Sequence, residues 1–236
     1  MPRPSRRTVL ATGSAVGGAL LAGGLPAQAT AAAQAAAEVR APGDPWRTAL
    51  DDADLVWQQM PKTWYEGPYL GNGFLGSGIY AEPSEEPGTE PGAAASAIRF
   101  NIQHSEVQDH RPQFGSLFGL ARLPIGHFTL EPVGAITGID WRLRLRDAEL
   151  TGTLTTDKGT LRIRAQVHNT RSVLTVEVTP SAGERGFRWV FHPAEAISPR
   201  AAFKPLPEGY AGNPPAEVAE LDGVSTAVQP LLTGGQ

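Results

Sequence analysis

The sequence predicts an all-β protein, an antiparallel β-sandwich, from three observations. Four segments after residue 140 alternate apolar and polar side chains with a period of two, the chain holds 27 glycines and 21 prolines, and no convincing amphipathic helix is visible. Half-buried strands joined by tight turns are typical of two antiparallel sheets packed face to face. A closed barrel gives the same pattern and stays open as an alternative.

Eight segments carry a strand pattern, namely residues 74–80, 97–102, 127–132, 141–146, 161–168, 173–178, 187–191 and 224–232. The alternation is clearest where Leu161, Ile163 and Ala165 are separated by polar residues. Asp157-Lys158-Gly159 is predicted as a hairpin turn, because glycine tolerates positive φ. The sandwich is predicted over residues 45–236. Residues 82–97, EPSEEPGTEPGAAASA, are expected to form a disordered surface loop within it.

The first 44 residues are predicted to lie outside the folded domain. Arg6 and Arg7 precede an uncharged apolar run at residues 11–25, so residues 1–29 resemble a twin-arginine signal peptide cleaved after Ala29. Residues 30–44 are predicted as a flexible, alanine-rich leader. The apolar run is shorter than the roughly 20 residues that span a bilayer, which disfavours the alternative of an uncleaved anchor. We expect twin-arginine export machinery as a partner, a secreted, extracellular product and no stable membrane anchor.

Composition excludes several classes of function. Removal of residues 1–29 takes away three arginines and no acid, which changes the formal charge from −4 to −7. An acidic protein is a poor partner for nucleic acid, so no nucleic acid is expected. The chain has no cysteine, which excludes disulfides, thiolate metal sites and a cysteine nucleophile.

The densest motif is Gly-Asn-Gly-Phe-Leu-Gly at residues 71–76, a tight turn that leads into a strand. Together with Ala-Ile-Arg-Phe-Asn at residues 97–101, it resembles the N-terminal domain of glycoside hydrolases in families 95 and 65. The resemblance is nearest to family 95, whose members are chiefly α-L-fucosidases, and covers roughly residues 52–236. The chain departs from that pattern at Tyr69, near the usual proline, and at residues 102–104, which replace a glutamate-led continuation.

The resemblance implies a supersandwich-like, non-catalytic N-terminal domain of an exported glycoside hydrolase. In that family a C-terminal helical barrel carries the groups that hydrolyse the glycosidic bond, so no catalytic residue is assigned here. The chain ends at Gln236 without a closing element. We therefore expect a sandwich that is incomplete at its C-terminus, with the missing helical barrel and carbohydrate as partners; a natural floppy terminus is the alternative. A free-standing secreted carbohydrate-binding module and an adhesion or scaffold sandwich are competing interpretations of the function.

Five residues are candidates for contact with substrate or with the partner domain: Trp64, Tyr65, Asn72, Asn101 and His104. Trp64 and Tyr65, with Tyr69, are suited to stacking on the apolar face of a sugar ring. An aromatic cluster at the edge of the core is the competing interpretation.

Three further clusters contain residue types that carry chemistry. His104, Glu106, Asp109 and His110 offer metal-ligand chemistry at a spacing that matches no zinc motif, so a polar loop is favoured and neither metal nor cofactor is expected. Glu66 and Glu106 are an acid/base pair only if the fold brings them together. The alternating arginines Arg142, Arg144, Arg162 and Arg164 are expected to form a solvated face or to dock a partner domain rather than to bind an anion.

Overall fold

The computed structural model describes residues 45–82, 95–230 and 232. The predicted signal peptide, leader and most of the predicted loop at residues 82–97 lie outside these residues. Within them the helices are α1 (Pro45–Asp52) and α2 (Gly115–Phe118). The strands are β1 (Leu55–Trp57), β2 (Tyr69–Gly71), β3 (Leu75–Ala81), β4 (Ile98–His104), β5 (Gly126–Glu131), β6 (Ile136–Arg144), β7 (Glu149–Thr156), β8 (Thr160–Val167), β9 (Leu174–Pro180), β10 (Arg188–Pro193), β11 (Glu217–Leu221) and β12 (Val224–Val228).

Ten of the described strands form two five-stranded antiparallel sheets. Sheet I has the order β1-β6-β7-β8-β9, and sheet II has the order β10-β5-β4-β3-β2. Strands β11 and β12 form a separate hairpin. Among the described residues no strand of one sheet pairs with a strand of the other, so the fold is a sandwich rather than a closed barrel. The predicted all-β antiparallel sandwich is confirmed.

The two sheets enclose one apolar core. The largest fully buried side chains of sheet I, Trp141, Leu154 and Leu161, belong to the same cluster as Ile79 and Phe100 of sheet II. On β8 the predicted alternation is present, with Leu161, Ile163 and Ala165 buried and the residues between them exposed. Period-two patterning therefore identified the inner face of this sheet correctly.

Strand β7 is absent from the sequence prediction, and its packing gives the reason. Leu150 and Leu154 are buried, but Gly152 stands between them where a third apolar side chain is expected. A Cβ at Gly152 would lie 2.7 Å from Cδ1 of Trp141, the residue opposite it on β6. The backbone oxygen of Asp140, 2.2 Å from such a Cβ, and the indole together occupy the space that a side chain on β7 needs, and the apolar series is interrupted.

Helices α1 and α2 and strands β1 and β2 are also absent from the sequence prediction. Helix α1 is eight residues long, which is shorter than the window of about 11 residues over which a helical period is recognised. Strand β11 is also absent from the prediction, and β12 ends earlier than the predicted strand at residues 224–232. The predicted hairpin turn at Asp157 links β7 to β8, with Gly159 at φ 153°. At the ends of the predicted loop, Glu82 donates its backbone N–H to the Ala97 carbonyl and thereby extends the β3–β4 hairpin.

The arginine stripe on sheet I is largely neutralised. Arg142 lies 3.3 Å from Asp54, Arg144 lies 2.8 Å from Asp147, and Arg164 pairs with Glu149. Among the described residues Arg162 is the member of the stripe without an ion-pair partner. These acids lie on loops or on a neighbouring strand. The sequence of the arginine-bearing strands alone therefore indicated a basic face that the fold neutralises.

No helix in the described part of the chain is long and apolar enough to cross a membrane.

Candidate functional site

A cleft of about 610 Å³ lies at the edge of sheet II, where the turn before β3 meets the end of β4. Its walls are residues 71 and 73–76 of the turn, residues 101–105 at the end of β4, residues 122–124, and the side chains of Tyr69 and Pro199. The cleft therefore unites the turn and the strand end that carry the family resemblance. Of the five candidate residues, Asn101 and His104 line it.

Asn72 holds the turn in place. Its Oδ1 accepts hydrogen bonds from the backbone N–H groups of Phe74 and Leu75, both at 2.9 Å. Its Nδ2 donates to the carbonyls of His168 and Arg171 at 2.8 and 3.0 Å. The amide thus closes an Asx-type turn and fastens sheet II to the loop between β8 and β9. These four hydrogen bonds engage both the oxygen and the nitrogen of the side-chain amide within the protein.

The glycines of the turn make room for an aromatic wall. A Cβ at Gly76 would lie 1.8 Å from the hydroxyl oxygen of Tyr69, so the tyrosine side chain lies directly against the β3 backbone. Gly73 has φ 90°, a conformation that favours glycine. Tyr69 and Phe74 remain 55% and 58% exposed, which leaves aromatic surface for a ligand at the cleft.

Asn101 supplies a polar group that the protein leaves unused. It is half-buried on β4, opposite Gly78 on β3 and His127 on β5. Among the described residues its amide has no hydrogen-bond partner. Gln103, two residues along the same strand, and Arg122 add an amide and a guanidinium to the same cleft.

His104 is held by the chain through both ring nitrogens. Its Nδ1 accepts from the Glu106 backbone N–H at 3.3 Å, which places the proton of a neutral ring on Nε2. Nε2 then donates to the Ser172 hydroxyl, 2.7 Å away. His104 consequently ties β4 to the loop before β9.

Trp64 and Tyr65 lie in a different place. They are 70% and 68% exposed and form an edge-to-face pair with ring centroids 5.5 Å apart, and neither lines the cleft. The adjacent Glu66 accepts from the backbone N–H groups of Lys62 and Thr63. The Lys62 hydrogen bond is the largest cause of its lowered pKa, so this carboxylate stabilises a turn.

Among the candidate metal ligands at positions 104–110, Asp109 instead stabilises neighbouring loops. Asp109 is buried, accepts from Arg111 and receives the Tyr210 hydroxyl at 3.0 Å. The Arg111 hydrogen bond, helped by Tyr210, holds the pKa of Asp109 below its ordinary value. Within the described ranges no group of three His, Cys, Asp or Glu side chains is arranged to hold a metal ion. Asp109 instead anchors the proline-rich segment that contains Tyr210.

The cleft is chemically suited to binding a neutral, hydroxyl-rich ligand. Amides and a guanidinium donate and accept hydrogen bonds, and exposed aromatic surface packs on apolar ring faces. None of its described lining residues is an aspartate or a glutamate, whereas glycoside hydrolysis ordinarily uses a pair of carboxyl groups. The sequence pattern missed Arg122, which no motif marks. It contained a signal for Gln103, since residues 101 and 103 share one face of a strand.

No protein-family model matches this chain, and no curated protein matches it.

Proposed function

We propose that this chain is the non-catalytic N-terminal β-sandwich of an exported, family 95-like glycoside hydrolase, and that the cleft beside Asn101 contacts the carbohydrate. The observation that carries the proposal is the meeting of the 71–76 turn and Asn101 in one cleft. These are the two segments on which the resemblance to that family rests. The enzyme's activity on α-L-fucosyl or related bonds belongs, in this proposal, to a helical-barrel domain that is the sandwich's partner.

The chemistry of the cleft supports contact rather than catalysis. Asn101, Gln103 and Arg122 offer hydrogen-bonding groups to sugar hydroxyls, and Tyr69 and Phe74 offer apolar surface. The side-chain amide of Asn101 makes no hydrogen bond within the described residues, so a ligand can bind it without breaking a hydrogen bond of the fold. The absence of a carboxylate from the described lining agrees with a binding role.

Calorimetric titration of the full chain with an α-L-fucosylated oligosaccharide tests the proposal, with the unfucosylated parent sugar as reference. Arg122→Ala is expected to weaken binding by about tenfold to a hundredfold, because a hydrogen bond to a charged group contributes roughly 1.5–3 kcal/mol. Arg162→Ala is the matched control, since Arg162 is also exposed but lies on sheet I. Gln103→Ala and Gln166→Ala form a second such pair. Absence of binding, or equal losses in both members of each pair, contradicts the proposed site.

The non-catalytic assignment has its own test. The full chain is incubated with a chromogenic α-L-fucoside and assayed for release of the leaving group. We expect no turnover above that of buffer. Hydrolysis by the purified chain, abolished by a substitution within it, would refute the assignment.

A free-standing carbohydrate-binding module is the second candidate, favoured by the exposed pair Trp64 and Tyr65. Under this alternative Trp64→Ala abolishes sugar binding and Arg122→Ala does not. Phe203→Ala is the control, because Phe203 is 71% exposed and comparable in size. The two sets of variants therefore separate a ligand in the cleft from a ligand on the aromatic pair.

Export through the twin-arginine route is part of the proposal and rests on Arg6 and Arg7. Replacement of both by lysine keeps the charge and removes the guanidinium pair. We expect this variant to accumulate inside the producing cell, which is measured by fractionation and immunoblotting. Secretion at the wild-type level would contradict the twin-arginine assignment.

A further inference from the structure

Two histidines lie stacked between the last two strands of sheet II. His127 on β5 is directly opposite His192 on β10 in the strand register. Their ring centroids are 4.6 Å apart and their planes differ by 9°. Strand β10 is the edge of the sheet and, within the described residues, is paired with β5 alone. The stack therefore lies on the one seam that holds this strand.

Charged groups surround the stack from the neighbouring strands. Glu82, which follows β3, accepts two hydrogen bonds from Arg99 on β4, both at 2.7 Å. His127 Nε2 lies 3.5 Å from Glu82 Oε1 and is buried without a hydrogen bond. The Glu82 carboxylate is thus already engaged by a guanidinium, and it offers only partial compensation for a proton on His127.

His192 has a different environment. Its Nε2 lies 3.0 Å from the Thr129 hydroxyl on β5, and that hydroxyl lies 3.4 Å from Glu131. Glu131 in turn accepts from Arg188 on β10 at 2.6 Å. The Thr129 oxygen accepts from Nε2–H in a neutral or a protonated ring, so His192 keeps a partner when it is charged. His127 Nε2 has no such hydrogen-bond partner, so a positive charge on that ring is less well compensated.

The opposite face of the same seam is apolar. Phe128 and Phe191 pack against each other with centroids 4.8 Å apart, and Trp189 packs on Phe100. Trp189 and Phe128 also line an apolar cleft of about 480 Å³ between the two sheets, beside Val176 on β9. Movement of β10 away from β5 would widen this cleft and expose these aromatic rings.

We propose that the His127–His192 stack is an acid-sensitive fastening that releases edge strand β10 from β5 when both rings are protonated. Two positive rings at this separation repel each other, and Arg99 adds a third positive charge on one side. The Arg188–Glu131 pair lies at the other end of the seam and contains no histidine, so release begins at the histidine end of β10. The consequence is a larger exposed surface on Trp189 and Phe128 in acid.

The titration of His127 has the required sign. Burial, reinforced by the charge on Arg99 and opposed by Glu82, holds the pKa of His127 below its ordinary value of 6.5. The folded state therefore binds this proton less readily than an opened state does. Fastening is complete above about pH 6.5 and weakens as the pH falls from there towards the lowered pKa of the folded protein.

Hydrogen exchange of the full chain, followed by mass spectrometry, tests the proposal. The peptide covering β10 should show an opening equilibrium that rises about tenfold or more between about pH 7.5 and about pH 5, after correction for intrinsic exchange. Strand β9, the corresponding edge of sheet I, is the internal reference and should not show this rise. His127→Gln should reduce the rise to less than about threefold, because it removes the buried ring, and His192→Gln should reduce it by a smaller factor, because burial and Arg99 still act on His127 in that chain.

His110→Gln is the matched control, since His110 is exposed and lies outside the stack, and it should behave as the wild type does. Two substitutions on opposite strands keep the test decisive if one of them prevents folding. A wild-type chain with equal acid responses in β9 and β10 would overturn the proposal. So would a full response that persists in the His127→Gln or His192→Gln chain.

Discussion

Substitution of Glu184 should destabilise the sandwich more than any other single change to a carboxylate of its loops. Glu184 ends the 3₁₀ turn Ala182–Glu184 between β9 and β10 and is completely buried. Its carboxylate accepts from the backbone N–H groups of Val133 and Gly134, at 2.7 and 3.0 Å, and from the Thr156 hydroxyl. One side chain thus joins the β5–β6 loop, the β7–β8 hairpin and the connection to β10.

The magnitude follows from what Glu184→Ala leaves behind. Two backbone N–H groups and one hydroxyl lose their acceptor, and an unsatisfied buried donor costs roughly 1–3 kcal/mol. The three costs are not additive, because the emptied space admits water and the desolvated charge is also removed. We expect the free energy of unfolding to fall by about 3–5 kcal/mol for Glu184→Ala, and by about 2 kcal/mol for Glu184→Gln, which keeps one acceptor oxygen.

Urea denaturation of the full chain measures both changes, with the midpoint expected to fall at an unchanged m-value. Glu208→Ala is the control, since Glu208 is exposed and its removal should alter stability by no more than about 0.5 kcal/mol. If Glu184→Ala falls in that same range, the three hydrogen bonds do not hold these loops together.

The pH dependence of stability gives an independent reading of the same carboxylate. Burial raises the pKa of Glu184, but hydrogen bonds from Thr156, Val133 and Gly134 outweigh it and lower the pKa from its ordinary value of 4.5. The unfolded chain therefore binds a proton before the folded chain does. The contribution is complete above about pH 4.5 and is lost as the pH falls through the folded pKa, and Glu184→Gln should remove that slope.

Three further substitutions test the turn, its aromatic wall and the loop anchor. Asn72→Ala removes the bonds between the turn and the β8–β9 loop and should lower the unfolding free energy by about 2 kcal/mol in urea denaturation; an unchanged midpoint argues against the link. Gly76→Ala should cost about 1 kcal/mol by displacing the exposed ring of Tyr69, whereas Gly138→Ala, with no atom within 4 Å of the added Cβ, should be nearly neutral. Asp109→Asn should speed proteolysis of the proline-rich segment at residues 194–216. Cleavage at the wild-type rate would show that Asp109 does not anchor this segment.

The sequence predicted the strands whose burial differs between their two faces. Leu161, Ile163 and Ala165 are visible because every second side chain enters the core. Gly152 conceals β7, since the space opposite it is filled by Trp141, a residue from another strand. Such complementary packing depends on which strands become neighbours. The periodicity of a single strand carries no information about those neighbours.

The β11–β12 hairpin was predictable from its turn. Asp222 and Gly223 have φ 51° and 75°, and Asp-Gly is among the strongest signals for a two-residue hairpin turn. The strand pattern around it is weak because the described side chains of the hairpin are exposed. Turn chemistry is therefore the better predictor where neither face of a hairpin is buried.

Part of the candidate site was predictable from short sequence motifs, and part of it depends on contacts between residues that are distant in the sequence. The turn at residues 71–76 was recognised from its glycines and asparagine, which tolerate a left-handed backbone. Asn101 was recognised because the segment at residues 97–101 resembles the same family. The acceptors of the Asn72 amide, His168 and Arg171, lie 96 and 99 residues away along the chain. Arg122 reaches the cleft only because the segment between β4 and β5 returns beside Leu75. Neither arrangement follows from a local pattern.

This division assigns different roles to the motif and to its neighbours. Asn72 directs both ends of its amide into the fold, and Gly76 provides the space in which Tyr69 forms a wall. The motif therefore builds the cleft, while the polar groups available to a ligand include Asn101, Gln103 and Arg122. Changes in the motif should alter binding only together with stability, whereas changes at the available groups should alter binding alone. A resemblance that rests on the turn consequently marks the shape of the site more strongly than its ligand.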